Sequence, residues 1–198
     1  MLNTKSSVLS LIVVGVLVSG CQTPAPTASF ADITFIHLAP INVNVAKIEV
    51  KNSYHAGIKG KHVEDRFPVS PAKALRRWAG DRLKPVGGPG SGTLRMTITD
   101  AGVIESKLKK DETVKGVFTT QQSHRYQLKA GGRLEIYDAS GKRAASSDAQ
   151  ATRTVTTGED ITLNEREKVW FEATEKLMAD FNRQMEREIH QFLGKWVK

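Results

Sequence analysis

Apolar and polar positions alternate with two different periods along the chain, and the changes of period mark its elements. From Ile33 to Tyr54 β-branched residues recur in two short alternations, Val43/Val45 and Ala46/Ile48/Val50, offset by one residue. The offset predicts a strand with a bulge or bend. His55 to Phe67 is polar and reads as a loop. Ser70-Pro71 then has the form of an N-cap followed by proline at the first helical position, where a missing N–H costs nothing. Leu75, Trp78, Ala79 and Leu83 follow at spacings of three and four, a helical stripe that ends near Leu83 before the glycine-rich stretch Val86 to Gly92. Leu94, Met96 and Ile98 alternate with Arg95, Thr97 and Thr99, as in a strand with one buried face, and the strand can continue through Val103 to Leu108 past Ala101-Gly102.

After a polar stretch from Lys109 to Gln122, two further strands, Arg125 to Tyr137 and Arg143 to Thr157, flank Asp138-Ala139-Ser140-Gly141-Lys142, which has hairpin-turn chemistry. The second of these strands places Ala145, Ser147, Ala149 and Ala151 on one face, small enough for a helix to lie close. Thr162-Leu163-Asn164-Glu165 is a capping box opening a long helix. Trp170, Thr174, Leu177, Phe181, Met185, Ile189, Phe192 and Trp196 carry its stripe. At 1.5 Å per residue a helix of roughly 30 residues is about 45 Å long, so its end must project or be covered. These elements predict an α+β fold in two layers: a mostly antiparallel sheet of about four strands, with one short helix and one long C-terminal helix packed on one face.

The longest apolar run, Val8 to Val18, comes before all of this and follows a polar start carrying Lys5. Its roughly eleven residues would cover only about half of a ~30 Å hydrocarbon core, which suits a cleaved signal and not a membrane span. The run ends at Leu17-Val18-Ser19-Gly20-Cys21. Those five residues resemble the bacterial lipobox, which implies that residues 1–20 are removed and that Cys21 is lipidated and acylated. An ordinary signal peptide followed by a free thiol is the alternative reading. By the same resemblance Gln22, where an Asp would favour the inner membrane, favours the periplasmic face of the outer membrane. Gln22 to Asp32 is rich in Pro, Ala and Thr and reads, with Cys21, as a linker over 21–32 reaching on the order of 18 Å. Residues 33–198 then form a single periplasmic domain.

Cys21 is the sole cysteine, which excludes an internal disulfide framework, a cysteine-based zinc finger and an iron–sulfur cluster. The net charge is +8, and loss of Lys5 with the signal leaves +7. Lys73, Arg76, Arg77, Arg82 and Lys84 lie on or beside the first helix against one acid, Asp81, and Lys107, Lys109 and Lys110 form a second group. Nucleic acid is not a partner expected in the periplasm; anionic lipid head groups are, with a plainly solvated helix face as the bland alternative. Phe118 is an apolar residue in a polar loop, suited to touching a partner or to folding back.

Catalytic signals are sparse. Gly87-Gly88-Pro89-Gly90-Ser91-Gly92 sits between a helix and a strand, the reverse of a phosphate cradle, and reads as a connector. His37, His55, His62, His124 and His190 show no metalloprotease spacing. His62-Val63-Glu64-Asp65 brings a base near two carboxylates and is the one acid/base or metal hint, against a solvated loop. No Gly-x-Ser-x-Gly elbow occurs. No cofactor is called for.

The signal and lipobox, the Trp78-Ala79 and Arg82-Leu83 pairs on the first helix, the meander and the long last helix together resemble the small α+β lipoproteins of Gram-negative envelopes, a group that includes the LPS-assembly lipoprotein and the auxiliary lipoproteins of ABC-type lipid transporters. The segments Phe35-Ile36-His37-Leu38-Ala39-Pro40 and Phe67-Pro68-Val69-Ser70-Pro71 are similar to uncharacterised lipoproteins of α-proteobacteria, a likeness that supplies no function. The first resemblance implies a non-enzymatic binding or accessory component of envelope lipid transport or outer-membrane assembly, with the bilayer, an envelope protein complex or anionic lipid as partner. A periplasmic hydrolase or ligand-binding enzyme using His62, Glu64 and Asp65 is one alternative; a structural envelope-maintenance role is another.

Overall fold

The computed structural model describes residues 29–57, 61–108 and 122–198; Cys21, Lys109, Lys110 and Phe118 lie outside them. The elements are β1 (Ile41–Val43), β2 (Lys47–Asn52), α1 (Pro71–Arg82), β3 (Leu83–Pro85), β4 (Thr93–Asp100), β5 (Val103–Lys107), β6 (Gln122–Tyr137), β7 (Arg143–Gly158) and α2 (Leu163–Phe192). The chain is an α+β two-layer fold, as its periodicities predict.

The two helices start where their caps dictate. The Ser70 hydroxyl accepts from the Lys73 N–H at 3.3 Å, with Pro71 in the first turn. On α2 both halves of the capping box are made: Glu165 N–H donates to Thr162 Oγ1 at 3.3 Å, and Thr162 N–H to Glu165 Oε2 at 2.9 Å. Helix α1 does not wait for the glycines to end. Leu83 turns extended and opens β3, so the glycines instead form the turn into β4. There Gly92 has φ +87, and a Cβ on it would collide with the Tyr137 carbonyl oxygen.

Both parallel pairings are made across α1, since parallel neighbours need a long crossover. β1 pairs with β3 and β2 with β4. The offset alternation near Val43 is therefore not a bulge within one strand: residues 44–46 carry the chain out of the small sheet and into the large one. β4 and β5 follow one another along a single edge of β6, Asp100 opposite Gly131 and Val103 opposite Leu128, with Ala101-Gly102 as the break between them. β7 takes the other edge along its whole length. The large sheet thus has five strands in four rows, all antiparallel except β2 with β4.

One face of this sheet and the helices enclose the core. Leu94, Met96 and Ile98 from β4 and Tyr126, Leu128, Leu134 and Ile136 from β6 are buried against Leu75, Trp78, Leu177 and Phe181. Ser147, Ala149 and Ala151 of β7 are buried too, under α2. Phe67 stacks on Trp170 with centroids 4.7 Å apart, and Tyr126 meets Trp170 edge-on at 5.3 Å. The far end of α2 is covered rather than projecting. Leu193 is buried, a turn at Gly194–Trp196 reverses the chain, and Val197 bridges to Val43, with Asn44 N–H donating to the Trp196 carbonyl at 2.7 Å. Trp196 accordingly leaves the helix stripe, and Phe192 stays half exposed.

Gly132 on β6 lies close beneath Phe181 of α2. A Cβ there would sit 3.0 Å from Phe181 Cζ and 3.3 Å from Met96 Cε. Gly132→Ala is expected to lower stability by about 1–3 kcal/mol by overpacking, read as a fall in the urea midpoint; an unchanged midpoint would show that Phe181 yields freely.

Candidate functional site

The five cations of the first helix do not share one environment. Arg82 corrects the sequence reading outright: it is 2% exposed, on the buried stripe, and unavailable to an external anion. Its guanidinium donates to Asn182 Oδ1 through Nε at 3.2 Å, to the Ala39 carbonyl and to Glu186 Oε1. Asn182 Oδ1 also accepts from Trp78 Nε1 at 2.8 Å, and its amide donates to Glu186 Oε2 at 3.2 Å. Burial lowers the Arg82 pKa from its ordinary value, yet an arginine stays protonated at any physiological pH.

The remaining four lie at the surface. Lys84 reaches back to the Gly80 carbonyl at 2.5 Å and helps to cap the end of α1. Lys73 pairs with Asp32 at 2.7 Å, and its hydrogen bond and charge hold that carboxyl below the usual range. Arg77 pairs with Asp81 at 3.2 Å, and the same Asp81 oxygen accepts from the Phe35 N–H at 2.9 Å. Arg76 is exposed, with no ion pair among the described residues. Lys73, Arg76 and Arg77 together rim a depression of about 250 Å³ whose apolar floor includes Ile33, Val69 and Ala74.

That depression is bounded by the chain that enters the domain. Phe30 meets Phe171 at 5.2 Å, Asp32 holds Lys73, Phe35 holds Asp81, and Ala39 receives Arg82. Residues 30–39 therefore form a strap along α1, from its first turn to its last, over the seam with α2. Packing begins at Phe30, within the stretch read as linker. A second depression of about 360 Å³ lies on the α2 side of the strap, beside Phe35, His37, Leu38 and Arg183.

His62 and Glu64 do come together, with Nδ1 3.6 Å from Oε2, but Asp65 is exposed and takes no part. Glu64 is occupied at both oxygens: Oε1 accepts from the Tyr54 hydroxyl at 2.7 Å and Oε2 from the Val103 N–H at 3.2 Å. Burial and the Glu64 charge push the Tyr54 hydroxyl pKa far up, so it remains a donor. The trio fastens the loop before α1 onto β5. A similar trio stands along β5, where Glu105 accepts from the Tyr126 hydroxyl at 2.9 Å and lies 2.9 Å from His124 Nδ1. Neither tyrosine partner was visible in the local spacing, since each lies ten or more residues from its carboxylate. Among the described residues no group of three or more His, Cys, Asp and Glu is placed to hold a metal ion.

Asn182→Ala should strip the acceptor from both Trp78 and Arg82 and cost about 2–4 kcal/mol, measured by chemical denaturation; a loss within a few tenths would mean that water replaces the amide. No family model matches this chain, and no curated protein does. Among solved structures it is similar to a dodecamer of a PelC point variant from Paraburkholderia phytofirmans, at 15% identity over 72% of this chain and 91% of that chain, with a TM-score of 0.22.

Proposed function

We propose that this chain is a lipid-anchored periplasmic lipoprotein that works without catalysis, as a binding or accessory component of envelope lipid transport or outer-membrane assembly. The anchor is Cys21, the membrane is the outer one, and the contact is made by the basic depression on α1 with anionic head groups or an envelope complex. The observation that carries this reading is where the chain enters the domain. Asp32, eleven residues past Cys21, is bonded to Lys73 on the rim of the depression that Arg76 and Arg77 share. A lipid on Cys21 would hold those cations near head-group phosphates, where each adds up to about 1 kcal/mol.

A further observation favours this reading over the enzyme alternative. The Glu64 carboxylate is engaged at both oxygens by structural donors, and Asp65 stands apart from it. No helix of the described residues is long and apolar enough to cross a membrane.

The intact mass of the protein extracted from its native membranes tests the anchor. A chain beginning at Cys21 with a diacylglyceryl thioether and an acylated amine is expected, with Cys21→Ser lacking both additions. A mature chain beginning elsewhere, or an unmodified thiol, would overturn the reading. Crosslinking of the tethered protein in intact cells should capture envelope lipid-handling components preferentially over the bulk of periplasmic protein.

A further inference from the structure

We infer that the strap face of the helix layer lies flat on an anionic bilayer, with Ile36 inserted among the head groups as a second, non-covalent anchor that fixes the domain's pose. This rests on the lipid-anchor reading and specifies the surface and its partner.

Ile36 is 73% exposed, the most exposed large apolar side chain among the described residues. Its neighbours explain why it points outward. Ile33 and Phe35 are buried against the helices, and the Leu38 N–H donates to the Phe35 carbonyl at 3.0 Å, so Ile36 and His37 form the crest of a turn. Among the described residues none covers this crest, and burying an isoleucine is worth a sizeable share of a marginal binding energy. Its chain neighbours have a cation on either side, each paired with a carboxylate. Arg77 shares the Asp81 oxygen that holds the Phe35 N–H, and Arg183, paired with Asp180, lines with Glu175 the depression beside Phe35 and His37. Arg76 and Lys73 continue the positive surface along α1.

A bilayer is the occupant that this pattern and the chain length specify. A protein interface buries a broad apolar centre, whereas one aliphatic crest beside the half-exposed cations of α1 matches the apolar and electrostatic terms of interfacial membrane binding. The point where the tether joins the domain agrees with this. Eight residue steps separate Cys21 from Ser29, where the described chain starts, and even fully extended they span no more than about 28 Å. From Asp32 at the first turn of α1 to Ala39 at its last, the strap covers about 14 Å of helix length at 1.5 Å rise. The tether thus joins the domain on the helix side, at Phe30 and Asp32, and not on the outer face of the sheet, which carries Gln127 and Thr154.

The single native cysteine makes a direct test practical. The full chain is isolated from its membranes as Ile36→Cys and, for comparison, as Gln127→Cys; a lipidated Cys21 leaves the new thiol as the sole site for an environment-sensitive fluorophore. Each is reconstituted on vesicles of phosphatidylethanolamine with phosphatidylglycerol, some containing bilayer-embedded quenchers. The position 36 probe is expected to shift to the blue and to lose most of its emission to the quencher, while the position 127 probe loses almost none. Adding Arg76→Glu, or replacing phosphatidylglycerol by phosphatidylcholine, should reduce quenching at position 36 severalfold without detaching the protein. Equal quenching at the two positions, quenching at 127 alone, or a position 36 probe shielded only by an added envelope protein would overturn the face proposal while leaving the anchor intact. A chain that accepts two fluorophores and fails to float with vesicles would overturn the anchor, and the face proposal with it.

Discussion

A buried arginine dictates how the helix layer is put together. Arg82 is a permanent cation at 2% exposure, and an ion taken out of water is tolerated only where its partners are fixed and nearly complete. Those three partners come from two places in the chain: Asn182 and Glu186 on α2 and the Ala39 carbonyl at the end of the strap. Each contact constrains the others. Asn182 also serves Trp78, so the depth at which α1 docks on α2 and the direction of the indole are set by one amide. The Ala39 contact fixes where the strap must end, and from there the chain enters β1 beside β3. The strap's middle is tied through Phe35 to Asp81 and its start through Asp32 to Lys73. The depression on α1 thus takes its shape from a bond network centred some turns away.

What the sequence made legible is what depends on near neighbours. The Ser70-Pro71 start, the Thr162/Glu165 box, the Asp138–Lys142 turn and the Leu94/Met96/Ile98 alternation are each decided within a few residues. The small residues of β7 belong with them, because a face of Ala and Ser admits a helix wherever the helix comes from. The division of 41–52 between two sheets is different. It depends on Val43 lying opposite Pro85 and Val197, and neither contact leaves a trace in local periodicity. The same holds for the tail, where Trp196 continues the apolar spacing of α2 but is drawn off the helix by backbone bonds to β1.

The site was legible as a group of cations and illegible as a division among them, though the information for one part was present. Arg82 falls seven residues after Leu75 and four after Trp78, on the apolar stripe itself. Periodicity places such a residue inside regardless of its charge, and Asn182, equally polar and equally on the stripe of α2, is its counterpart. For His62 and Glu64, adjacency in sequence did become adjacency in space. The role changed because Tyr54 and Val103 claim the carboxylate from other elements.

The cations of α1 also differ in how firmly each is held. The Arg82 end of its contact with Glu186 lies inside the helix layer, where the loss of a partner strands that cation in a poorly hydrated place. Lys73–Asp32 and Arg77–Asp81 have their cationic ends roughly half exposed, and water and salt screen pairs of that kind until they contribute little. An incoming phosphate can take over such a cation without disturbing the core. The order along the helix is consistent with this difference: the exchangeable cations lie toward the first turns, where the chain enters, and the fixed one at the last turn, where the strap is pinned. Competition for Lys73 would free Asp32 and with it the start of the strap, while Asp81 and Arg82 would keep Phe35 and Ala39 in place and Ile36 at the crest between them.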